Sequence, residues 1–247
     1  MKPNATRSTA IVEPALLTRR GALGRILVAG AAAGGLVAPR GTLQAMEPVP
    51  ADIALPPILA PADALRELAT GNKRFVDGRT IGPNRNLARA KDVASKQAPF
   101  AAVLSCADSR VPVEILYDQG IGDLFVCRVA GNVVTPELVA SLEYGTLVLG
   151  AKALIVLGHT SCGAVVATIQ AKPVPGQISV LYRHIHPAVE RAGTADVEAV
   201  VRENVRMQVR LLTGSSPVIA ELVKEGRLVV MGGIYDLTTG RVTLLDS

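Results

Sequence analysis

Residues 100 to 110 read FAAVLSCADSR, an unbroken apolar run from Phe100 to Ser105 that opens directly onto Cys106, Asp108 and Arg110. A short run without polar alternation is the mark of a strand covered on both faces, as in a parallel sheet. Two more follow: DLFVCRV at Asp123 to Val129, and KALIVL at Lys152 to Leu157, which ends in GHTSCGA. Between them PELVASLEYGTLVL, Pro136 to Leu149, has helical length, a proline in its first turn and one apolar face. Upstream, ADALRELATGNKRFVDG has helical spacing at Leu65, Leu68 and Phe75 with Asp63 as its cap, and a more polar stretch runs from Asn86 to Gln97.

Downstream, another helix is expected after Cys162. Residues 196 to 213 form the clearest amphipathic helix, with Val197, Val200, Val201, Val205, Val209 and Leu212 on one stripe. Arg227 to Asp236 and Val242 to Leu245 read as strands joined by a turn at Thr238, Thr239 and Gly240. Strands alternating with helices predict an α/β fold: a mostly parallel central sheet flanked by helices, with an antiparallel edge strand. In such a fold ligands sit beyond the carboxyl ends of the strands, where both polar clusters fall.

Charge separates the chain into parts. Of 26 basic and 21 acidic residues, residues 1 to 45 hold six bases (Lys2, Arg7, Arg19, Arg20, Arg25, Arg40) and one acid, Glu13, so the whole net charge of +5 lies there. The remaining 20 bases and 20 acids cancel, which argues against nucleic acid as a partner. Trp is absent and only seven residues are Phe or Tyr, so base stacking has little to build on and the core is aliphatic. TRRGALG at residues 18 to 24, followed by a Gly- and Ala-rich apolar run to Ala38, has the outline of a twin-arginine export signal. That run is too weakly apolar for a membrane span of about 20 residues, so no membrane anchor is expected in the mature form. The expected organisation is a signal peptide over 1–45, a Pro-rich linker over 46–61 and a catalytic domain over 62–247, exported to the periplasm or another extracytoplasmic compartment with the twin-arginine machinery as a partner in transit.

Cys106, Cys127 and Cys162 are an odd number of cysteines for a disulfide framework in an oxidising compartment. Cys106 and Cys162 with His159 supply two thiolates and an imidazole, a donor set that suits Zn²⁺ and leaves a fourth tetrahedral position open, as in catalytic sites. Asp108 and Arg110, two apart in a loop, can pair with each other or approach the metal, the guanidinium holding the carboxylate ionised. Two thiolates make zinc a weaker Lewis acid than three imidazoles would, so activity is expected to rise with pH above neutrality. Cys127, inside an apolar run, reads as a packing residue; the alternative is a fourth ligand closing a structural site. His184 and His186 read as part of a surface loop, with proton relay as the alternative. Arg202, Arg206 and Arg210 read as a solvated helix face.

CADSR, RVAGN (Arg128 to Asn132), SLEYG (Ser141 to Gly145) and GHTSCGA, in this order and with GNKRF (Gly71 to Phe75) upstream, resemble the β-class carbonic anhydrases from about Asp63 to the carboxyl end. The resemblance implies zinc held by Cys106, His159 and Cys162, an Asp108–Arg110 catalytic dyad, and a homodimer or homotetramer. It also implies reversible hydration of CO₂ to bicarbonate and a proton by zinc-bound hydroxide. Asp108 is a possible fourth ligand in an inactive low-pH state; the bicarbonate pocket that accompanies this switch in some members contains a tryptophan, which this chain lacks. Gln119 is a candidate for binding substrate. A CS₂ or COS hydrolase on the same fold, a non-catalytic zinc or redox sensor, and a Cys162 nucleophile with His159 as base are the competing readings. Asp108 and Arg110 favour zinc-hydroxide chemistry, because a thiol switch has no use for them.

Overall fold

The computed structural model describes residues 60–246. The expected signal peptide and nearly all of the expected linker lie outside the described residues. Five strands carry the fold: β1 Ala101–Ser105, β2 Leu124–Arg128, β3 Ala153–His159, β4 Val229–Tyr235 and β5 Val242–Leu244. Their order across the sheet is β2-β1-β3-β4-β5. Every pairing is parallel except β4 with β5. This is the α/β architecture expected, antiparallel edge included.

All residues of β1 and β3 are buried because helices cover both faces of the sheet. One face packs Ala102, Leu104, Leu154 and Val156 against α4 (Pro136–Glu143), α7 (Val197–Ser215) and α8 (Pro217–Lys224). The alternate residues Ala101, Val103, Ala153 and Ile155 face α1 (Pro61–Val76) and α3 (Val113–Leu116). The two-residue period of the strands therefore divides one apolar run between two cores. A third cluster, built from Val165 on α5 (Gly163–Gln170), Ile185 on α6 (Ser179–Ala192) and Val200 and Val201 on α7, lies beneath Cys106 and Cys162.

Several boundaries move relative to expectation. α1 begins at Pro61, the last residue of the expected linker, and Asp63 caps its start from within the first turn, its carboxylate accepting the Ala60 amide at 3.0 Å. The expected helix from Pro136 to Leu149 is α-helical only to Glu143 and continues as a wider π-helical turn over Tyr144–Val148. In the polar stretch from Asn86 only Leu87–Asp92, α2, is helical, capped by the Asn86 side chain. His184 and His186 lie in α6 and not in a loop. Pro187 costs that helix a backbone bond, roughly 3 kcal/mol, but Leu181, Ile185 and Ala188 bury one face against the third core cluster and hold it together.

Candidate metal centre

Cys106 is the first residue beyond β1, His159 is the last of β3, and Cys162 stands at the start of α5. Ser105 lies opposite Leu157 in the parallel register, which brings Cys106 and His159 to the same sheet end. The chain leaves β1 for β2 on one side and later places β3 on the other, so these ends form the topological switch point at which open α/β sheets bind ligands. The two sulfurs and an imidazole nitrogen lie within 4.8 Å of one another, and all three residues are buried. The three side chains expected to hold zinc are thus brought together.

The imidazole is prepared for a metal. Its Nδ1 is 2.9 Å from the Thr160 carbonyl, which can only accept, so Nδ1 carries the proton and Nε2 keeps a lone pair. Nε2 is buried without a hydrogen-bond partner. A buried polar nitrogen left unpaired is costly unless something else takes its lone pair, and a cation between Nε2 and two sulfurs does so. The donor set of two soft thiolates and one imidazole fits Zn²⁺.

The sulfurs differ in environment. The neighbouring Cys162 thiol, and after it His159 and the Gly131 amide that donates to Sγ at 3.3 Å, favour the Cys106 thiolate and lower its pKa against the effect of burial. Cys162, beside the Cys106 sulfur and itself buried, is pushed up. Burial opposes charge on His159, but the Cys106 sulfur, the Thr160 carbonyl and Asp108 together raise its pKa. Metal binding at such a site requires deprotonated thiols and a neutral imidazole, so it releases protons.

Asp108 and Arg110 meet as expected. Asp108 Oδ1 accepts from the Arg110 amide and from Nε, both at 2.9 Å, and Oδ2 accepts from a guanidinium NH₂ at 2.8 Å. The Arg110 bonds hold the carboxyl well below the usual carboxylate range against the opposing effect of burial. Oδ1 is saturated, whereas Oδ2 takes one bond and retains acceptor capacity, and Oδ2 faces His159 Nε2 at 3.8 Å. The carboxylate therefore looks into the space between the metal ligands and the Arg110 side chain, which is 55% exposed.

Several supporting residues were not evident as such in the sequence. Arg128 donates from Nε to the Cys106 carbonyl at 3.0 Å and from NH₂ to the Asp108 carbonyl at 2.6 Å, fixing the loop from the neighbouring strand. RVAGN contained both Arg128 and Gly131, but a motif does not say what its members touch. Gly131 has φ 77°, and a Cβ there would lie 2.6 Å from Ile185 Cδ1, so only glycine fits. In the second turn, Ser161 has φ 53° and donates its amide to Glu198 Oε1 at 2.9 Å. Thr160 Oγ1 accepts the Leu237 amide at 3.0 Å.

Other candidates fall elsewhere. Gln119 is fully buried between α1 and α3; its Nε2 donates to Glu67 Oε1 at 3.0 Å and to the Tyr117 carbonyl at 3.1 Å, so none of its hydrogen bonds reaches the cluster. Cys127 packs in the core on β2 and is not part of the ligand cluster, and burial pushes its thiol up. His186 is exposed and pairs with Glu190 at 3.4 Å. Arg210 pairs with Glu203 at 2.7 Å on an exposed edge of α7.

A parallel sheet with a Cys-His-Cys cluster at its switch point defines a metalloenzyme class, and comparison with known proteins gives the family. Residues 101–242 match the family model described as carbonic anhydrase, and the chain belongs to that family. It is 37% identical over 193 residues to carbonic anhydrase 2 of Mycobacterium tuberculosis, covering 75% of this chain and 93% of that one. It is 38% identical over 191 residues to a carbonic anhydrase of Mycolicibacterium smegmatis, covering 74% and 93%. Among solved structures, the β-carbonic anhydrase CafA of Aspergillus fumigatus superposes with a TM-score of 0.59 at 27% identity, covering 75% of this chain and 89% of the other. A Coccomyxa β-carbonic anhydrase in complex with acetazolamide gives 0.58 at 27% identity, covering 74% and 82%.

Proposed function

We propose that this protein is a zinc-dependent carbonic anhydrase that interconverts CO₂ and bicarbonate, with Cys106, His159 and Cys162 holding the metal and Asp108 and Arg110 as the catalytic dyad. The observation that carries this reading is the unpartnered Nε2 of His159, facing two sulfurs on one side and an ionised carboxylate on the other. Zinc at that position would supply Lewis acidity that makes water a better nucleophile toward CO₂, with activity rising above neutral pH because two of the donors are thiolates.

The remaining work falls to the chain. Asp108 Oδ2 accepts a hydrogen bond from the attacking water, turning its lone pair toward the CO₂ carbon. Arg110 keeps Asp108 ionised, so Asp108 orients the hydrogen that the attacking oxygen retains without capturing it, and the proton lost on forming bicarbonate passes to solvent. Arg128 prevents the loop from carrying Asp108 away by holding the backbone carbonyls of both Cys106 and Asp108. Stopped-flow CO₂ hydration on protein with measured zinc content tests the reading; about one zinc per chain without hydration activity would leave the metal and remove the reaction.

The proposal extends to location and assembly. Residues 1–45 are read as a twin-arginine export signal, the mature enzyme as extracytoplasmic, and its working unit as a homodimer or homotetramer. Fractionation of cells expressing the chain with Arg19 and Arg20 changed to Lys tests the first, with retention in the cytoplasm expected. Light scattering of the mature protein tests the second; a monomer would refute it. Among the described residues no helix is long and apolar enough to cross a membrane.

A further inference from the structure

α7 lies so close to the sheet that a Cβ on Gly158, next to His159, would meet Val205 Cγ2 at 2.5 Å. Its buried face would be expected to be wholly apolar, yet Asn204 and Gln208, one turn apart, are almost completely buried in it. A buried amide costs free energy unless all of its strong groups are paired, so two such residues call for an explanation.

Their partners supply one. Asn204 Nδ2 donates to the Gly131 carbonyl at 3.0 Å, and Asn204 Oδ1 accepts from Gln208 Nε2 at 3.0 Å. Gln208 Oε1 accepts the Val134 amide at 2.8 Å, and Nε2 also reaches the His184 carbonyl at 3.4 Å. The ladder thus grips both ends of the segment from Gly131 to Val134. That segment contains two successive left-handed residues, Gly131 at φ 77° and Asn132 at φ 46°. Gly131 presents its carbonyl to Asn204 and its amide to Cys106 Sγ, at 3.3 Å.

We propose that Asn204 and Gln208 are positioning residues for the Cys106 sulfur: they hold the Gly131 amide against it and so set its orientation and donor strength toward the metal. They touch neither metal nor substrate and act only through the Gly131 to Val134 segment. An N–H bond to a thiolate draws charge from the sulfur and fixes the direction of its remaining lone pairs, which is how outer partners tune a metal ligand. The inference rests on the proposed zinc site.

Asn204→Leu and Gln208→Met keep the approximate volume and remove the ladder. Two readouts separate positioning from simple stability: zinc affinity by competition with a chromophoric chelator, and the sulfur-to-cobalt charge-transfer band of the Co²⁺-substituted protein. Ser216→Ala is the control, since it removes the Ser216 bonds to Glu143 and to the Ile219 amide at the far end of α7. Both ladder variants are expected to bind zinc roughly 10- to 100-fold more weakly and to shift the band, while Ser216→Ala lowers the melting temperature and leaves both unchanged. Ladder variants with wild-type zinc affinity and an unmoved band would overturn the proposal, as would a Ser216→Ala protein whose zinc affinity falls equally. Should the apolar variants fail to fold, Gln208→Glu keeps the acceptor for Val134, loses the donor to Asn204 and is judged by the same two readouts. Wild-type protein that binds neither metal would remove the zinc site and this role together; wild-type binding with unaffected variants would remove this role alone.

Discussion

The two ligand-bearing segments are built differently. The loop after β1 presents Cys106 and the mostly buried Asp108 toward the site and the half-exposed Arg110 side chain toward solvent, and it is fastened by long side chains and amides from elsewhere: Arg128, Gly131 and, through Gly131, Asn204. The turn after β3 carries two buried ligands and is fastened largely to the end of neighbouring β4, with the Thr160 amide on the Tyr235 carbonyl at 3.0 Å and the Leu237 amide on the Thr160 hydroxyl, and the Glu198 carboxylate adds one bond by accepting the Ser161 amide. A segment that must aim a carboxylate needs side-chain anchors from several directions. One that only places donors can borrow the rigidity of a strand end.

This contrast predicts a graded series of effects. His159→Ala, in the second segment, should reduce zinc from about one per chain to near none, because a two-thiolate remnant has too few donors; elemental analysis after dialysis checks this. Asp108→Asn, in the first, should keep the zinc but lower CO₂ hydration by about 10²- to 10⁴-fold, since the amide cannot carry the charge that Arg110 stabilises. Full zinc and full activity in that variant would erase the proposed division of labour. Arg128→Met should lower activity by about 10-fold by freeing the Cys106 and Asp108 carbonyls, with retained zinc measured alongside. Glu198→Gln keeps an acceptor for the Ser161 amide, so its effect should stay within about 1 kcal/mol in denaturant unfolding.

The smallest effect concerns pH. Asp236, beside the second segment, accepts from the Thr238 hydroxyl and from the amides of Thr239 and Thr238, which lower its pKa below the ordinary 3.8. A depressed carboxylate contributes stability that is complete above its unfolded pKa and is lost as pH falls through the folded value. Melting temperatures of Asp236→Ala and wild type should therefore differ by a constant amount near neutrality and converge below about pH 4.

Much of this was legible in one dimension. The strands announced themselves as unbroken apolar runs, and Cys106, His159 and Cys162 followed from donor chemistry at strand ends. Asp108 and Arg110 lie two apart, so their pairing needed no knowledge of the fold. What escaped was long-range: Arg128 reaches Cys106 across 22 residues and Asn204 reaches Gly131 across 73. On a helical wheel Asn204 and Gln208 only interrupt the valine stripe, because periodicity records where a side chain faces and not what it finds there. α6 was missed for a related reason: the value of burying Ile185 and Ala188 appears only once the third core cluster exists.

The placement of the ligands on two neighbouring strands gives the ion a second meaning. Cys106 and His159 are separated by about fifty residues and meet only when β1 and β3 have paired. On the proposed zinc assignment, a chain still searching for its sheet register offers the metal no complete site, so occupancy certifies finished assembly. By mass action the bound ion then stabilises the finished state in return, making heat resistance a function of how much zinc the cell has to give.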